Sequence, residues 1–281
     1  MKVIKLGGSL LEDVQRRDAA LHAIARQWKR GEPVVLVHGG GKHVDAKLAS
    51  LGIPKRTHAG LRITDDATLD VVVSVLAGSV NKMLVSELSA MQLRAAGISG
   101  SDASTLVADV HEPIDGVDLG HVGRVRSANG TLIRAMLSCR IMPVVSSIAE
   151  GPDGRLLNVN ADTAAAALAA ALGAESLVFI TDVAGLLDGS GNLVRELSAG
   201  EATALLQSDV VTGGMRPKLL AALHALDSGV ASVTIGETGG TKLVSESRGL
   251  GVSAWPGAAP RDLATARPRD LAIGAKNVAA R

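Results

Sequence analysis

The sequence has no tyrosine, one phenylalanine, two tryptophans and a single cysteine, Cys139. So few aromatic rings leave no set of platforms on which nucleic-acid bases stack. One cysteine makes neither an internal disulfide nor a thiolate metal cluster, so a reducing, cytoplasmic home is expected. The apolar run around Cys139 marks it as a small core residue. An excess of either charge is lacking too, with 29 Lys and Arg against 28 Asp and Glu and a formal net charge of +1. That balance gives no electrostatic reason to expect nucleic acid or an anionic membrane as partner. No apolar run approaches the roughly 20 residues of a membrane span. The longest, 161–172, is short and carries Asp162. Lys2-Val3-Ile4-Lys5-Leu6 follows the first methionine directly, with no signal-peptide core.

What is present is a chain of 281 residues, 47% hydrophobic, long enough for one large α/β domain or two lobes. Apolar runs at 3–6, 34–37, 141–145, 177–180 and 231–235 read as strands. They alternate with amphipathic stretches at 13–28, 64–95, 160–172 and 214–228. This pattern predicts an α/β fold with an open, mostly parallel sheet sandwiched between helices. Residues 55–63, and 105–108 with 122–126, read as short hairpin strands, a lid or lip over a site. We expect an N-terminal lobe at 1–150 and a C-terminal lobe at 151–244. Residues 245–281, rich in Ala, Gly, Arg and Pro, read as a tail, partly disordered or packed on the surface, with a short helix near 262–267.

Six motifs carry chemistry. Lys5-Leu6-Gly7-Gly8-Ser9 runs a strand into a glycine turn and a helix, where backbone N–H groups approach an anion and a lysine adds charge. Val37-His38-Gly39-Gly40-Gly41-Lys42 repeats the arrangement with three glycines, one more than a tight turn needs. Neither matches the Walker A or the dinucleotide-binding spacing. In Gly60-Leu61-Arg62-Ile63-Thr64-Asp65, Thr64 is a candidate cap for the long helix, and Arg62 is either a surface residue or a bidentate clamp for a carboxylate. In Asn158-Val159-Asn160-Ala161-Asp162-Thr163, Asn160 and Asp162 suit a helix cap and a first turn, while Asn158 is left without a local role. Thr181-Asp182-Val183-Ala184-Gly185-Leu186-Leu187 leaves a strand at the sheet's carboxyl edge, where ligands collect. Gly213-Gly214-Met215-Arg216-Pro217-Lys218 starts a helix, and a lysine there is disfavoured unless an anion is near.

In this order the six motifs, together with Leu119-Gly120-His121-Val122-Gly123, resemble the amino acid kinase family over roughly residues 2–236. Within it they resemble the branch that phosphorylates the side-chain carboxylate of N-acetyl-L-glutamate in arginine biosynthesis. The resemblance implies that Lys5 and Lys218 contact the transferring phosphoryl group from opposite sides. Gly8 and Gly41 would donate backbone N–H bonds to it, and Asp162 would hold the lysines. Gly40, Gly41, Arg62, Asn158 and Asn160 would bind the acceptor, with Arg62 on its α-carboxylate. Asp182, Val183, Ala184, Gly185, Leu186, Leu187, Val210, Val211 and Thr212 would line ATP. Mg2+ would be held through the ATP phosphates, with no protein metal site. The N-terminal lobe would bind the acyl amino acid and form a homodimer, and the C-terminal lobe would bind ATP. No general base is required, because an acceptor carboxylate is already ionised at neutral pH, and His38 is left as a structural strand-end residue.

The sequence departs from the family pattern after Ile235, where 236–244 compress a longer ending and 245–281 have no counterpart. The first strand starts at residue 2, without the preceding helix that joins dimers into hexamers in arginine-inhibited relatives. A homodimer without arginine feedback is therefore expected. Two related acceptors stay open, carrier-bound α-aminoadipate (which the basic pair Lys55 and Arg56 would suit) and N-succinylglutamate. A non-catalytic sensor on the same fold would have lost a phosphoryl-contacting lysine or Asp162, and all three are present.

Overall fold

The computed structural model describes residues 1–188, 191–207, 211, 214–236 and 239–245. The strands Val34–His38 and Met142–Ser146 are buried at every position, as expected of apolar runs covered on both faces. They belong to an eight-stranded sheet ordered Glu196–Ser198, Thr241–Val244, Ser232–Ile235, Ser176–Ile180, Lys2–Leu6, Val34–His38, Met142–Ser146, Ala95–Ser99. The last six of these run parallel. Thr241–Val244 turns back antiparallel to Ser232–Ile235, and Glu196–Ser198 follows it. The expected fold class holds.

Register decides where the site forms. Leu6 lies opposite both His38 and Ile180, and His38 lies opposite Ser146. The two glycine turns and the loop after Ile180 therefore leave the sheet at one edge. A four-stranded closed barrel of Leu106–Val110, Val122–Ala128, Ile148–Glu150 and Leu156–Val159 stands beside it. The hairpin expected at 55–63 is present as Thr57–His58 paired with Leu61–Arg62.

The strand Lys2–Leu6 sends side chains into both core clusters, Val3 into one and Ile4 and Leu6 into the other. Helix Ala161–Leu172 is buried nearly all round, and its alanines allow close packing against the sheet and helix Met215–Asp227. Glycine at 173, in the left-handed conformation, ends it. A continuous helical stretch, Asp66–Ala90, contains a π-helical segment at Ser74–Val80.

Several expectations need correction. The cap of that long helix is Asp65, whose carboxylate accepts from Thr68 N, and not Thr64, which is fully buried one residue earlier. Cys139 is exposed, because it falls in the turn after helix Thr131–Ser138 and outside the buried strand that follows. By length and composition Asp66–Ala90 would also pass as a membrane span. Its apolar side, with Val72, Leu76, Leu84 and Leu88, lies in the second core cluster, as in an ordinary core helix. The tail at 246–281 lies outside the described residues.

Candidate active site

Lys5 is held in mid-sheet, paired in register with Val37 on one side and Phe179 on the other, and is 6% exposed. Its ammonium forms a 2.8 Å ion pair with Asp162 Oδ1. Lys218, on the first turn of helix Met215–Asp227, lies 3.3 Å from Asp162 Oδ2 and donates to Gly214 O at 3.3 Å. Asp162 rides on the first turn of helix Ala161–Leu172, so two lysines 213 positions apart meet on one carboxylate from opposite halves of the chain. Burial alone disfavours the Asp162 carboxylate. The nearby charges of Lys5 and Lys218 and their contacts outweigh it, so its pKa lies below the usual value. Burial lowers the pKa of Lys5, with Lys218 adding to the effect and Asp162 opposing it. Two ammoniums against one carboxylate leave a net positive charge next to the sheet edge, an arrangement that an anionic ligand would complete.

The glycine turns face each other. A Cβ placed on Gly8 would lie 3.5 Å from Gly41 N and 3.9 Å from Gly40 N. Gly8 and Gly41 open helices, and N–H groups in a helix's first turn have no intrahelical acceptor. The three glycines at 39–41 have separate causes. A Cβ on Gly40 would lie 2.9 Å from Leu76 Cδ2, and one on Gly39 3.4 Å from the Ala161 Cβ. At Gly41 nothing lies within 4 Å, and that position opens to the cavity. Most of the crowding therefore comes from the protein's own helix, the π-helical stretch that carries Leu76 and Val80.

A cavity of about 240 Å³ joins these parts. Lys5, Gly8, Gly40, Gly41, Arg62, Asn158, Asn160 and Asp162 border it, together with Val44, Val72, Leu76 and Ser147, which the motifs did not single out. Arg62 Nη2 bonds Asp45 Oδ1 and Gly41 O, while its Nη1 is buried without a hydrogen-bond partner. Asn158 Nδ2 donates to Thr64 Oγ1 at 3.2 Å. Asn160 caps the helix by accepting from Asp162 N at 2.8 Å and Thr163 N at 3.2 Å. Its local role explains it, and it reaches the cavity as well.

The loop after Ile180 divides. Asp182, Val183, Ala184 and Leu187 are exposed, and Gly185 and Leu186 are buried. Leu186 N donates to Thr241 Oγ1 at 2.8 Å. A Cβ on Gly185 would lie 2.7 Å from both Leu193 Cδ1 and Thr241 Oγ1, so only glycine fits. The Ser9 hydroxyl, then Thr181, hold the Asp182 carboxyl below its usual pKa against partial burial. That bond ties the loop to the first glycine turn. Val211 is buried; Val210 and Thr212 lie outside the described residues. Among the described residues, no group of three or more His, Cys, Asp or Glu could hold a metal ion.

His38 is fully buried, with Nε2 3.0 Å from Asn81 Nδ2 and Nδ1 2.9 Å from Gly39 O. Burial pushes its pKa down to about 4, so it is neutral and carries its proton on Nδ1 towards the Gly39 carbonyl.

A parallel sheet with glycine turns, two lysines and a shared buried carboxylate at one edge has the parts that phosphoryl transfer needs, positioning and positive charge. The chain belongs to the amino acid kinase family, whose model matches residues 1–237. It is 43% identical over 233 residues to an acetylglutamate kinase of Geobacillus thermodenitrificans, covering 83% of this chain and 88% of the relative. To an acetylglutamate kinase of Solibacter usitatus it is 40% identical over 257 residues, covering 86% and 98%. Among solved structures it resembles an N-acetylglutamate synthase from Neisseria gonorrhoeae in complex with coenzyme A and N-acetyl-glutamate. There the identity is 25%, the TM-score 0.76, and the coverage 88% of this chain and 60% of the other.

Proposed function

We propose that the protein transfers the γ-phosphoryl group of ATP to the side-chain carboxylate of N-acetyl-L-glutamate, the acetylglutamate kinase reaction of arginine biosynthesis. The observation that carries this reading is the placement of Lys5, Asp162 and Arg62 around one cavity, with Lys218 on the far side of Asp162. Support also comes from relatives of that name at about 40% identity over most of the chain.

In this reading Arg62 Nη1 and Asn158 take the α-carboxylate, and the side-chain carboxylate points to Lys5. A carboxylate oxygen attacks Pγ while the bond to the β–γ bridging oxygen breaks, giving an acyl phosphate and ADP. No proton has to leave the nucleophile. Lys5 and Lys218 offset charge on the equatorial phosphoryl oxygens, with help from the N–H groups of Gly8 and Gly41. Asp162 keeps two like charges in one small volume. Mg2+ would travel with the nucleotide phosphates and neutralise charge on them. The donor set suits this, since one buried and one half-buried ammonium and open N–H groups match phosphate oxygens. The mostly exposed 182–187 loop, with Val211, would line the nucleotide. Acceptor binding then falls to residues 1–150 joined by Asn158 and Asn160, and nucleotide binding to the rest of 151–244, with a homodimer built by the first part.

The pair Lys55 and Arg56, which kept a carrier-bound acceptor open, is engaged by Asp45 and Asp65, and this favours a free acceptor. The test is an assay of purified protein with ATP, Mg2+ and N-acetyl-L-glutamate, trapping the acyl phosphate with hydroxylamine. Product with an acylated aminoadipate or N-succinylglutamate alone would replace the acceptor, and no product with any of them would end the reading. Light scattering tests the dimer.

A further inference from the structure

We propose that Asp45 is a positioning residue for acceptor recognition. It fixes Arg62 so that one edge of the guanidinium is anchored in the fold and the other is left for the acceptor's carboxylate. This rests on the reading of the site given above. Asp45 lies on helix Gly41–Ser50, one turn past the glycine turn.

The geometry assigns each donor. Arg62 Nη2 bonds Asp45 Oδ1 and, at 3.1 Å, Gly41 O. Arg62 Nη1 is buried and unpaired, on a side chain 13% exposed that borders the cavity. A buried guanidinium donor without a partner is costly, and a carboxylate ligand removes that cost. A flexible arginine would turn both nitrogens onto Asp45 in the absence of ligand and would have to be pulled away again. Anchoring Nη2 through Asp45 and Gly41 O prevents this.

A carboxylate so close to the clamp would repel an anionic acceptor. Lys55 answers this, with its ammonium 2.8 Å from Asp45 Oδ2. Two cations around one carboxylate keep the cluster net positive, as at Lys5, Asp162 and Lys218. Asp45 is itself held below the usual carboxylate pKa: partial burial works the other way, and the contacts with Lys55 and Arg62 override it. The cluster also joins helix Gly41–Ser50 to the hairpin, so hairpin placement and clamp geometry are set together.

The test is steady-state kinetics on D45A, D45N and K55M with the acceptor that the wild-type enzyme uses. D45A should raise KM for the acceptor on the order of tenfold, with kcat and KM for ATP within about twofold. D45N keeps an oxygen acceptor for Nη2 and should restore most of the loss, which a purely steric filler would not do. K55M removes the offsetting charge and should raise acceptor KM by several-fold at low salt and less at high salt. Thermal melting of each variant checks folding, and if D45A does not fold, D45N and K55M decide. Unchanged acceptor KM in folded D45A, or a fall in kcat alone, would overturn the assignment of Asp45 and leave the kinase reading standing. A wild-type enzyme that phosphorylates no acylated acidic amino acid would overturn both.

Discussion

The two lysines at Asp162 sit in different settings. Lys5 is locked into the middle of a parallel sheet, with a side chain 7% exposed and a 2.8 Å ion pair. Lys218 is carried by a helix end, with a side chain 16% exposed and a 3.3 Å contact that it shares with a backbone carbonyl. The same contrast extends to their halves of the site. The acceptor side has buried, paired groups: His38 with Asn81, Arg62 with Asp45, Gly40 against Leu76. The loop proposed for the nucleotide is mostly exposed and is pinned at Gly185 and Leu186. One side is built of buried, paired groups, and the other leaves most of its groups open to solvent.

Breaking the shared anion should have the largest effect. Asp162→Asn leaves two ammoniums facing each other without the carboxylate that opposes the effect of burial on Lys5. We expect kcat to fall on the order of 10³-fold. Retained activity would show that the carboxylate is not what holds the pair. Lys5→Ala and Lys218→Ala should each lower kcat by a factor on the order of 10² or more. If the contrast between them is functional, Lys218→Ala also raises KM for ATP and Lys5→Ala does not. A rise in KM alone for both would remove their role in transfer.

The buried side can be probed by pH. His38 is neutral in the fold with a pKa of about 4, against 6.5 for an unperturbed histidine. Above pH 6.5 it is neutral in both states and contributes no pH dependence. As pH falls from about 6.5 towards 4 the unfolded chain binds a proton that the folded chain does not, and stability drops by roughly 3 kcal/mol. Denaturant titrations across that window should show the slope in the wild-type protein and lose it in His38→Gln. A flat wild-type profile would contradict the buried neutral imidazole. The smallest effect is expected on the looser side. Gly185→Ala drives a methyl into Thr241 and Leu193, which should shift the loop and raise KM for ATP about tenfold, with KM for the acceptor unchanged.

How legible these features were depends on the range of the interactions that make them. The runs in Lys2–Leu6, Val34–His38 and Met142–Ser146 formed strands buried on both faces, which leaves a continuous hydrophobic signature, while those in Ser176–Ile180 and Ser232–Ile235 alternate buried with half-buried positions. Ala95–Ser99 was not visible: Ala-Ala-Gly-Ile-Ser at the sheet edge has one β-branched residue and is strand only through its pairing with Met142–Ser146. The barrel closes by pairing Leu106–Val110 with Ile148–Glu150, a contact between distant segments that no local pattern announces. At 64–65 two adjacent cap formers stood side by side, and burial of Thr64 among Arg62, Asn158 and the Leu119 carbonyl gave the cap to Asp65. Lys5, Asp162 and Lys218 lay in motifs, and the structure brings them together. Asp45 lay in none, since its importance comes from where the hairpin sets Arg62. The run of three glycines stands out in the sequence, yet what crowds Gly40 is Leu76 from a π-helical segment that sequence periodicity does not reveal.

The strand that carries Lys5 is synthesised before both of its neighbours, and one of them, Ser176–Ile180, follows about 170 residues later. Until then one edge of Lys2–Leu6 has its peptide groups unpaired, although Val34–His38 can already cover the other. The nascent chain therefore holds an open, apolar β edge until residue 176 emerges, an interval in which it is exposed to aggregation.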